Sequence, residues 1–377
     1  MIQILKKIKK YPMTIFFTSI IIIFTALDVF NKDITFSEYE NRSLAQKPKF
    51  YYSSFIEGRF FNNYDRYIND QFIFRDKWIN IKSISENILG KKENNNVVYG
   101  KKDFLFDKFQ NIDKDNLSKN ISIINSFISK YDSLNFNLMI IPESFTIYKD
   151  FLPYGIKLVD EERYINSIYS EFDNFNNVKS IDIVESLKHN KDSYIYYRTD
   201  HHWTSYGAYL AYLEYCKQNS ILPIDINNLK KNTVTDFYGT YFSKSKKMDA
   251  KADRIDYYDI DNIEVFVDNL KVDNINDDSK WSSSDKYSAF LKGNNAITLV
   301  KNNNKNDNSK ILIIKDSYAN SFIQFIVNNY KETYIVDLRS FGNNFNDFFE
   351  GHNFDNVIIM YNLKNISEDL NISKLKY

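Results

Sequence analysis

The chain has 377 residues, 49 basic and 49 acidic side chains, and one cysteine. This balance of charge gives no global reason to expect nucleic-acid binding, which usually needs a basic domain. The lone Cys216 excludes an internal disulfide and a multi-cysteine zinc site, whereas a hydrophobic content of 43% is enough for a sizeable core.

The first thirty residues have the pattern of a membrane anchor. Four lysines in segment 6–10 precede an apolar run from Pro12 to about Phe30, in which Asp28 is the first acid. A membrane-spanning helix needs about 20 apolar residues, and a positive flank stays in the cytoplasm. We therefore expect residues 1–30 to be a cytoplasmic flank and a transmembrane signal anchor of a single-pass cell-membrane protein, with the remaining chain extracytoplasmic. The alternatives are a cleaved signal peptide, although no clear Ala-x-Ala-like site follows the run, and a buried helix of a soluble protein.

Residues 31–110 form one compositional unit with few strand signals. Amphipathic aromatic stretches at 55–67 and 70–89 favour helices. The pattern from residue 97 to 106 is typical of a hairpin whose turn is 100–103. We predict an N-terminal helical and hairpin segment that packs on the main domain, and its role is left open.

From residue 111 the pattern alternates between helical spacing and short apolar runs. Such alternation favours an α/β fold with a doubly wound, mostly parallel sheet. Residues 225–308 interrupt it with many Asn, Asp and Lys residues, so we interpret them as an irregular insertion with strand-like stretches such as Ile263–Val267. The predicted domain 111–377 contains helices at 121–128, 164–172, 206–213 and 319–329 and strands at 136–141, 178–183, 311–314, 334–336 and 357–360.

One cluster of chemically capable side chains lies just before a predicted helix. It reads Thr-Asp-His-His-Trp-Thr and spans residues 199–204. A carboxylate two residues from a histidine can accept a hydrogen bond from its Nδ1, which fixes the tautomer and leaves Nε2 free as a base. Asp200 and His202 have this spacing, and Trp203 is placed to pack beside the imidazole and exclude water. The alternative is that Asp200 or Thr199 caps a helix and that the histidines lie on the surface.

A second cluster follows the predicted strand 311–314, where Lys315, Asp316 and Ser317 open a helix. Open α/β sheets bind ligands at the carboxyl ends of their strands, and a helix N-terminus supplies amide donors for an oxyanion. Ser317 is therefore a candidate nucleophile. The alternative is that Asp316 or Ser317 is an ordinary N-cap.

Together the two clusters supply a nucleophile, a base and an orienting carboxylate, namely Ser317, His202 and Asp200. Catalytic triads are defined by geometry rather than by chain order, so the order Asp, His, Ser is permitted. No Gly-x-Ser-x-Gly elbow occurs in the sequence, which argues against an ordinary α/β-hydrolase.

Two other interpretations stay open at this point. A metal site could use Asp200, His201 and His202, but adjacent histidines point in different directions in most backbones, and no His-Glu-x-x-His spacing supports it. A non-catalytic scaffold or binding protein is the other, in which Arg198 and Arg339 bind anionic groups.

The string at residues 199–204 resembles the signature of the bacterial DHHW proteins. These are similar to the SGNH-hydrolase-like proteins that acetylate alginate and related exopolysaccharides. Further segments that carry the resemblance are Glu40-Asn41-Arg42, Asp70-Gln71-Phe72 with Arg75, Gly100-Lys101, Phe104-Leu105-Phe106, Ile141-Pro142-Glu143-Ser144, Leu152-Pro153, Gly293-Asn294, Lys315-Asp316-Ser317-Tyr318 and Asp337-Leu338-Arg339. Their number and order make the match specific.

The resemblance implies an α/β fold of the SGNH-hydrolase-like type with a permuted motif order. It also implies that Asp200 and His202 supply two triad members and that Ser317 is the nucleophile. Lys315 stands where relatives often carry a glycine before the Asp-Ser pair, so the resemblance does not fix the oxyanion-binding geometry. Candidate oxyanion or substrate-binding residues are Asn320, Asn294, His201, Trp203, Tyr318 and Arg339. No cofactor and no metal ion are expected.

The implied activity is that of an extracytoplasmic O-acetyltransferase, which acetylates a cell-envelope or secreted polysaccharide through an acetyl-serine intermediate. With water as acceptor, the same site would be an acetyl esterase. The implied partners are the polysaccharide acceptor, a membrane-bound acyl transferase, and the membrane itself through residues 12–30, with no role for nucleic acid. A non-catalytic, membrane-anchored scaffold of a polysaccharide export or modification machine is the alternative.

Overall fold

The structure is a computed structural model that describes residues 11–40 and 42–376. The lysines of segment 6–10, predicted to form the cytoplasmic flank, lie outside the described residues. Contacts divide the described chain into two units, the first ending at Gly90 and the second beginning at Lys91. The three-part domain division drawn from the sequence stays a prediction.

The first unit begins with an 18-residue helix, Pro12–Val29. Pro12 is its first residue, where a missing backbone N–H removes no helical hydrogen bond. None of the helix's side chains is buried. The helix is long and apolar enough to cross a membrane, and a signal sequence has the same properties, so it is a candidate membrane anchor or signal peptide.

The remainder of the first unit is mainly helical. Its helices are Tyr52–Ile56, Arg59–Gln71 and Arg75–Ile88, and two short strands, Phe36–Ser37 and Arg42–Ser43, pair antiparallel. Charged residues from separate segments meet here, because Arg42 pairs with Asp70 at 2.5 Å and Arg75 with Glu40 at 2.6 Å. Four charged motif residues of this unit, Glu40, Arg42, Asp70 and Arg75, therefore form an ion-pair network.

An eight-stranded sheet forms the centre of the second unit. Its strands, numbered in chain order, are β1 (Asn135–Ile141), β2 (Val178–Ser180), β3 (Ile263–Val267), β4 (Leu270–Val272), β5 (Ile297–Asn302), β6 (Lys310–Lys315), β7 (Glu332–Val336) and β8 (Asn356–Asn362). The spatial order is β4-β3-β5-β7-β6-β8-β1-β2. The strands from β7 to β2 are parallel, and β5, β3 and β4 continue the sheet in antiparallel pairing. The fold is thus mixed α/β around a large, mostly parallel sheet.

The central parallel strands are covered on both faces. Residues 311–315 of β6 are all buried although consecutive side chains point to opposite faces, as expected for a strand covered on both sides. The α-helices are Lys114–Ile128, Ser144–Ile147, Glu161–Ser170, Val184–His189, Ser205–Asn219, Thr240–Ser245, Ile323–Ile326, Phe345–Glu350 and Leu363–Glu368. The 3₁₀ segments are Lys149–Phe151, Ile226–Asn228, Asp278–Ser282, Lys286–Lys292, Ser317–Ser321 and Leu370–Lys376.

Two smaller antiparallel arrangements belong to the second unit. The predicted hairpin is present, with Val97–Tyr99 paired to Leu105–Asp107 and a third short strand, Glu93–Asn94, beside them. The other pair is Lys231–Phe237 with Asp253–Tyr258.

Residues 225–308 are more regular than their composition indicated, and their interpretation as an irregular insertion is corrected. They contribute β3, β4 and β5 to the central sheet as well as the separate pair that begins at Lys231. These strands lie toward one edge and keep many side chains partly exposed, so polar residues are tolerated in them. Their hydrophobic pattern is weak for the same reason.

The region after β6 is less helical than predicted. The sequence indicated a helix at 319–329, whereas the structure has the 3₁₀ segment Ser317–Ser321 followed by a single α-helical turn, Ile323–Ile326. Residues 318–327 are all buried. Packing on every side, rather than one amphipathic face, therefore sets the local geometry.

Candidate active site

A β-bridge and a buried carboxylate hold the loop that carries Asp200. Tyr196 and Trp203 pair across it in an antiparallel β-bridge. The buried carboxylate of Asp253 accepts hydrogen bonds from the backbone N–H groups of residues 198 and 199, at 3.0 and 2.7 Å. Asp253 therefore fixes the backbone immediately before Asp200.

Ser317 lies at the carboxyl end of β6, half-buried, where the chain turns into a 3₁₀ segment. Asp316 caps this segment because its Oδ1 accepts the N–H of Tyr318 at 2.9 Å. Its Oδ2 accepts the N–H of Asn362 and the side-chain amide of Asn365, both at 2.7 Å. The turn that presents Ser317 is thus tied to the end of β8.

The structure brings Asp200, His202 and Ser317 together. His202 Nε2 lies 2.8 Å from Ser317 Oγ, and His202 Nδ1 lies 2.6 Å from Asp200 Oδ1. Asp200 Oδ1 also accepts the backbone N–H of His202 at 3.0 Å, and its Oδ2 accepts the N–H of Thr240 at 2.7 Å. This arrangement meets the distance requirement for a nucleophile, a base and its orienting group.

The electrostatics favour a neutral imidazole and an ionised carboxylate. Burial alone would raise the pKa of Asp200, but the two neighbouring imidazoles and hydrogen bonds from His202 and Thr240 lower it well below its ordinary value. Burial lowers the pKa of His202, and Asp200 opposes this shift only in part. An ionised Asp200 accepts the proton of Nδ1, so Nε2 is left as an acceptor for the Ser317 hydroxyl.

Tyr287 covers the imidazole, a role that the sequence suggested for Trp203. Its ring stacks on that of His202 with centroids 3.6 Å apart and planes 9° apart. Its hydroxyl donates to the backbone carbonyl of Ser317 at 3.1 Å. Tyr287 therefore contacts both His202 and the main chain of Ser317. It lies within 225–308, and no local sequence signal distinguishes it from the other tyrosines.

Gly239 leaves the space that the Asp200 carboxylate occupies. A Cβ atom at this position would lie 2.2 Å from Asp200 Cβ and 2.3 Å from its Oδ2. Only a residue without a side chain permits such a close approach. Sequence reasoning missed Gly239, since its partner is 39 residues away and no turn motif surrounds it.

Three further predicted residues, His201, Trp203 and Tyr318, pack against one another or against His202. The His201 ring centroid lies 3.8 Å from that of His202, and within the described chain its Nδ1 has no hydrogen-bond partner. Trp203 is fully buried and donates its Nε1–H to the carbonyl of Tyr318 at 2.9 Å. Tyr318 is also buried and donates its hydroxyl to the carbonyl of His201 at 2.6 Å. Burial leaves Trp203 and Tyr318 no surface for direct contact with a substrate.

Asn294, Asn320 and Arg339 meet around Lys315. Lys315 is 2% exposed, and its Nζ donates to Asn294 Oδ1 and Asn320 Oδ1 at 2.8 Å each and to Asp337 Oδ2 at 3.3 Å. Arg339 pairs with the same carboxylate through Nε at 2.8 Å and Nη2 at 2.5 Å. Burial, opposed by Asp337, lowers the pKa of Lys315 to about 8, so the ammonium form still predominates at neutral pH.

A metal ion would compete with the contacts just described. One ligand atom each from Asp200, His201 and His202 lies within 4.8 Å of the others. His202, however, uses Nδ1 on Asp200 and Nε2 on Ser317, so neither ring nitrogen is free while these hydrogen bonds persist. The arrangement therefore suits proton transfer better than metal ligation.

A pair of buried carboxyl groups, Glu143 and Glu161, is connected to the site through Tyr241. Tyr241 donates its hydroxyl to Glu143 Oε2 at 2.9 Å, and its ring centroid lies 6.1 Å from that of His201. Glu161 Oε2 accepts the N–H of Glu143 at 2.7 Å and the hydroxyl of Thr146 at 2.6 Å. Burial raises the pKa of Glu161 to about 8, and burial together with the charge of Glu161 raises that of Glu143.

Replacing Glu161 with glutamine should flatten the pH dependence of stability. The folded chain holds the Glu161 proton more tightly than the unfolded chain, so wild-type stability should fall as the pH rises from about 4.3 to about 8. Glutamine keeps an oxygen for both donors and has no proton to lose. Urea denaturation across this range measures the free energy of unfolding. Glu171→Gln, at an exposed position directly after the same helix, should leave the wild-type slope in place, and an unchanged slope in Glu161→Gln would contradict the raised pKa.

The chain that carries this geometry is similar to proteins of a known family. The model of the family described as "DHHW protein" matches residues 86–336, which include Asp200, His202 and Ser317. A solved DHHW family protein from Eubacterium siraeum is 25% identical, with 75% of this chain and 96% of that chain covered and a TM-score of 0.65. No curated protein sequence gives a significant match.

Two more distant structures share the fold. PatB1 from Bacillus cereus is 18% identical, with 73% of this chain and 98% of that chain covered and a TM-score of 0.59. The O-acetyltransferase domain of Pseudomonas putida AlgJ is 15% identical, with coverage of 74% and 98% and a TM-score of 0.50. At these identities the likeness is one of fold alone.

Proposed function

This chain belongs to the DHHW protein family, and from that premise we propose that it is an O-acetyltransferase. Ser317 is the nucleophile, His202 the base and Asp200 the carboxylate that orients the base. The observation that carries the proposal is the continuous line of hydrogen bonds, 2.6 Å from Asp200 to His202 and 2.8 Å from His202 to Ser317. The similar fold of an O-acetyltransferase domain supports the choice of reaction only by analogy.

In the first half-reaction, His202 Nε2 takes the hydroxyl proton as Ser317 Oγ attacks the carbonyl carbon of an acetyl donor. The carbonyl oxygen becomes an oxyanion. The backbone N–H of Ser317, for which the described residues offer no acceptor, is a donor to this oxyanion. The tetrahedral intermediate then breaks its bond to the donor's leaving group, which receives the proton from His202, and acetyl-Ser317 remains.

In the second half-reaction, a sugar hydroxyl of a cell-envelope or secreted polysaccharide attacks acetyl-Ser317. His202 removes the proton of that hydroxyl and returns it to Ser317 Oγ as the acetyl group leaves. Water in place of the sugar hydroxyl would make the same site an acetyl esterase. Neutral His202 and ionised Asp200 suit both half-reactions, because the base must accept a proton each time.

The proposed place of action is the outer side of the cell membrane. The candidate anchor Pro12–Val29 supports attachment to the membrane, with the Ser317 site extracytoplasmic. An acetyl donor outside the cytoplasm would have to be supplied by a membrane-bound acyl transferase, which is the proposed partner. The permuted order of the SGNH-hydrolase-like motifs belongs to the same proposal.

Substituting His202 with alanine in the parent cell tests the function directly. We expect O-acetylation of the polysaccharide to be lost while the protein persists at wild-type abundance, because Ser317 loses its base. His189→Ala is the matched control, since His189 is exposed at the end of a helix and should leave acetylation intact. Retained acetylation with folded His202→Ala protein would favour the non-catalytic scaffold instead.

A further inference from the structure

Lys315 has an acceptor inside the protein for each of its three ammonium N–H groups. The acceptors are Asn294 Oδ1, Asn320 Oδ1 and Asp337 Oδ2. An ammonium group only donates, so each asparagine must turn its oxygen toward Lys315 and its NH2 group away. The oxygen and NH2 ends of an amide have nearly the same shape, so shape alone does not fix which end faces inward. The hydrogen bonds from Lys315 fix it.

The two asparagines differ in the hydrogen-bond acceptors of their NH2 groups. Asn320 is 3% exposed, and its Nδ2 donates to Asn294 Oδ1 at 3.3 Å. Asn294 is exposed, and its Nδ2 donates to no acceptor within the described chain. Asn294 Oδ1 is occupied by Lys315 and Asn320, so the NH2 group of Asn294 is the donor that remains for a ligand.

Asn294 directly follows a turn with three consecutive positive φ angles. Residues 291–293 have positive φ angles of 55°, 55° and 89°, although two of the three carry side chains. Such a conformation is disfavoured for residues other than glycine and persists only where the surrounding structure enforces it. The hydroxyl of Ser340 donates to the Asn294 carbonyl at 2.9 Å and holds the end of the turn.

Two of these residues are close to the nucleophile in the chain. Lys315 is two residues before Ser317, and Asn320 lies in the same 3₁₀ segment as Ser317. We infer that Lys315 is a positioning residue that holds Asn294 with its NH2 group available to the oxyanion formed during acetyl transfer. When Ser317 Oγ bonds to the acetyl carbon, the carbonyl oxygen takes the negative charge, and Asn294 donates to it. The inference rests on the proposed function and selects Asn294 over Asn320 as the side-chain donor.

Lys315→Met, which keeps the length but removes every donor, tests the inference. With the purified full chain and a chromogenic acetyl ester, kcat should fall about 10²-fold with little change in KM, the size expected for a lost oxyanion donor. Asn294→Ala should give the same loss, and the double variant should be no worse than either single one. Multiplied losses in the double variant would overturn the inference, as would full activity in Asn294→Ala or a larger loss in Asn320→Ala.

A second readout does not depend on activity. The side-chain NH2 resonances of Asn294, observed by NMR, should shift in Lys315→Met but not in Lys310→Met, a change at the other end of the same strand. Lys315→Met/Asp337→Asn removes both buried charges and serves if the single variant fails to fold. Unshifted resonances would overturn the positioning role. If wild-type turnover does not require Ser317, the proposed function fails. If turnover requires Ser317 but Lys315→Met has a normal kcat, only the present inference is contradicted.

Discussion

Replacing Asp200 with asparagine should reduce turnover of an acetyl ester by about 10⁴-fold while the fold is retained. The Asp200 carboxylate accepts the Nδ1 proton of His202 at 2.6 Å and thereby leaves Nε2 free to accept the proton of Ser317. An asparagine can turn its NH2 group toward Nδ1, which moves the ring proton to Nε2. His202 then no longer acts as a base toward Ser317. Measuring kcat on the purified full chain, with the thermal unfolding midpoint alongside, checks the prediction.

The matched control for this change is Asp249→Asn. Asp249 is exposed and pairs with Lys247 at 2.6 Å, so its loss should leave kcat unchanged. A folded Asp200→Asn protein with nearly wild-type turnover would show that the carboxylate does not orient the base.

Gly239→Ala should reduce turnover by about 10² to 10³-fold, although Gly239 contacts no substrate in this account. The new Cβ would overlap Asp200 Cβ and Oδ2, so the carboxylate must move away from His202. The φ angle of Gly239 is −86°, which alanine adopts without strain, so the effect should come from displacement of Asp200 and not from the backbone. The kcat of ester hydrolysis and the NMR resonance of the His202 Nδ1 proton measure both consequences.

Gly342→Ala is the control for this second substitution. A Cβ atom at Gly342 meets nothing within 4 Å, so turnover and the imidazole resonance should stay at wild-type values. If Gly239→Ala keeps full activity with an unshifted Nδ1 proton, the close packing of Asp200 against Gly239 has no part in holding the carboxylate.

Local sequence was sufficient to predict those parts of the site whose residues lie close together in the chain. The spacing of Asp200 and His202 already suits a hydrogen bond, and Ser317 follows a strand whose buried run is easily recognised. Parallel strands carry continuous apolar runs because both faces are covered, so β1, β6 and β8 were readily predicted. The family resemblance then joined two segments that lie more than a hundred residues apart.

Sequence reasoning failed where polar segments fold back onto the site. Tyr287 and Gly239 both lie in 225–308, whose edge strands mix polar and apolar residues and so have no clear period. Their effects depend on contacts with His202 and Asp200 that only the folded chain brings about. The choice between Asn294 and Asn320 needed the position of the Lys315 ammonium, which no spacing rule reveals.

In the proposed reaction Ser317 forms an ester with the acetyl group, and this intermediate can be trapped. The purified full chain is mixed with a chromogenic acetyl ester, quenched in acid before turnover is complete, and digested for mass spectrometry. We expect one added acetyl group on the peptide that contains Ser317, and no such label in Ser317→Ala, while Ser321→Ala, a change in the same segment, still becomes labelled. Acetylation at another residue, or the same label in Ser317→Ala, would contradict it.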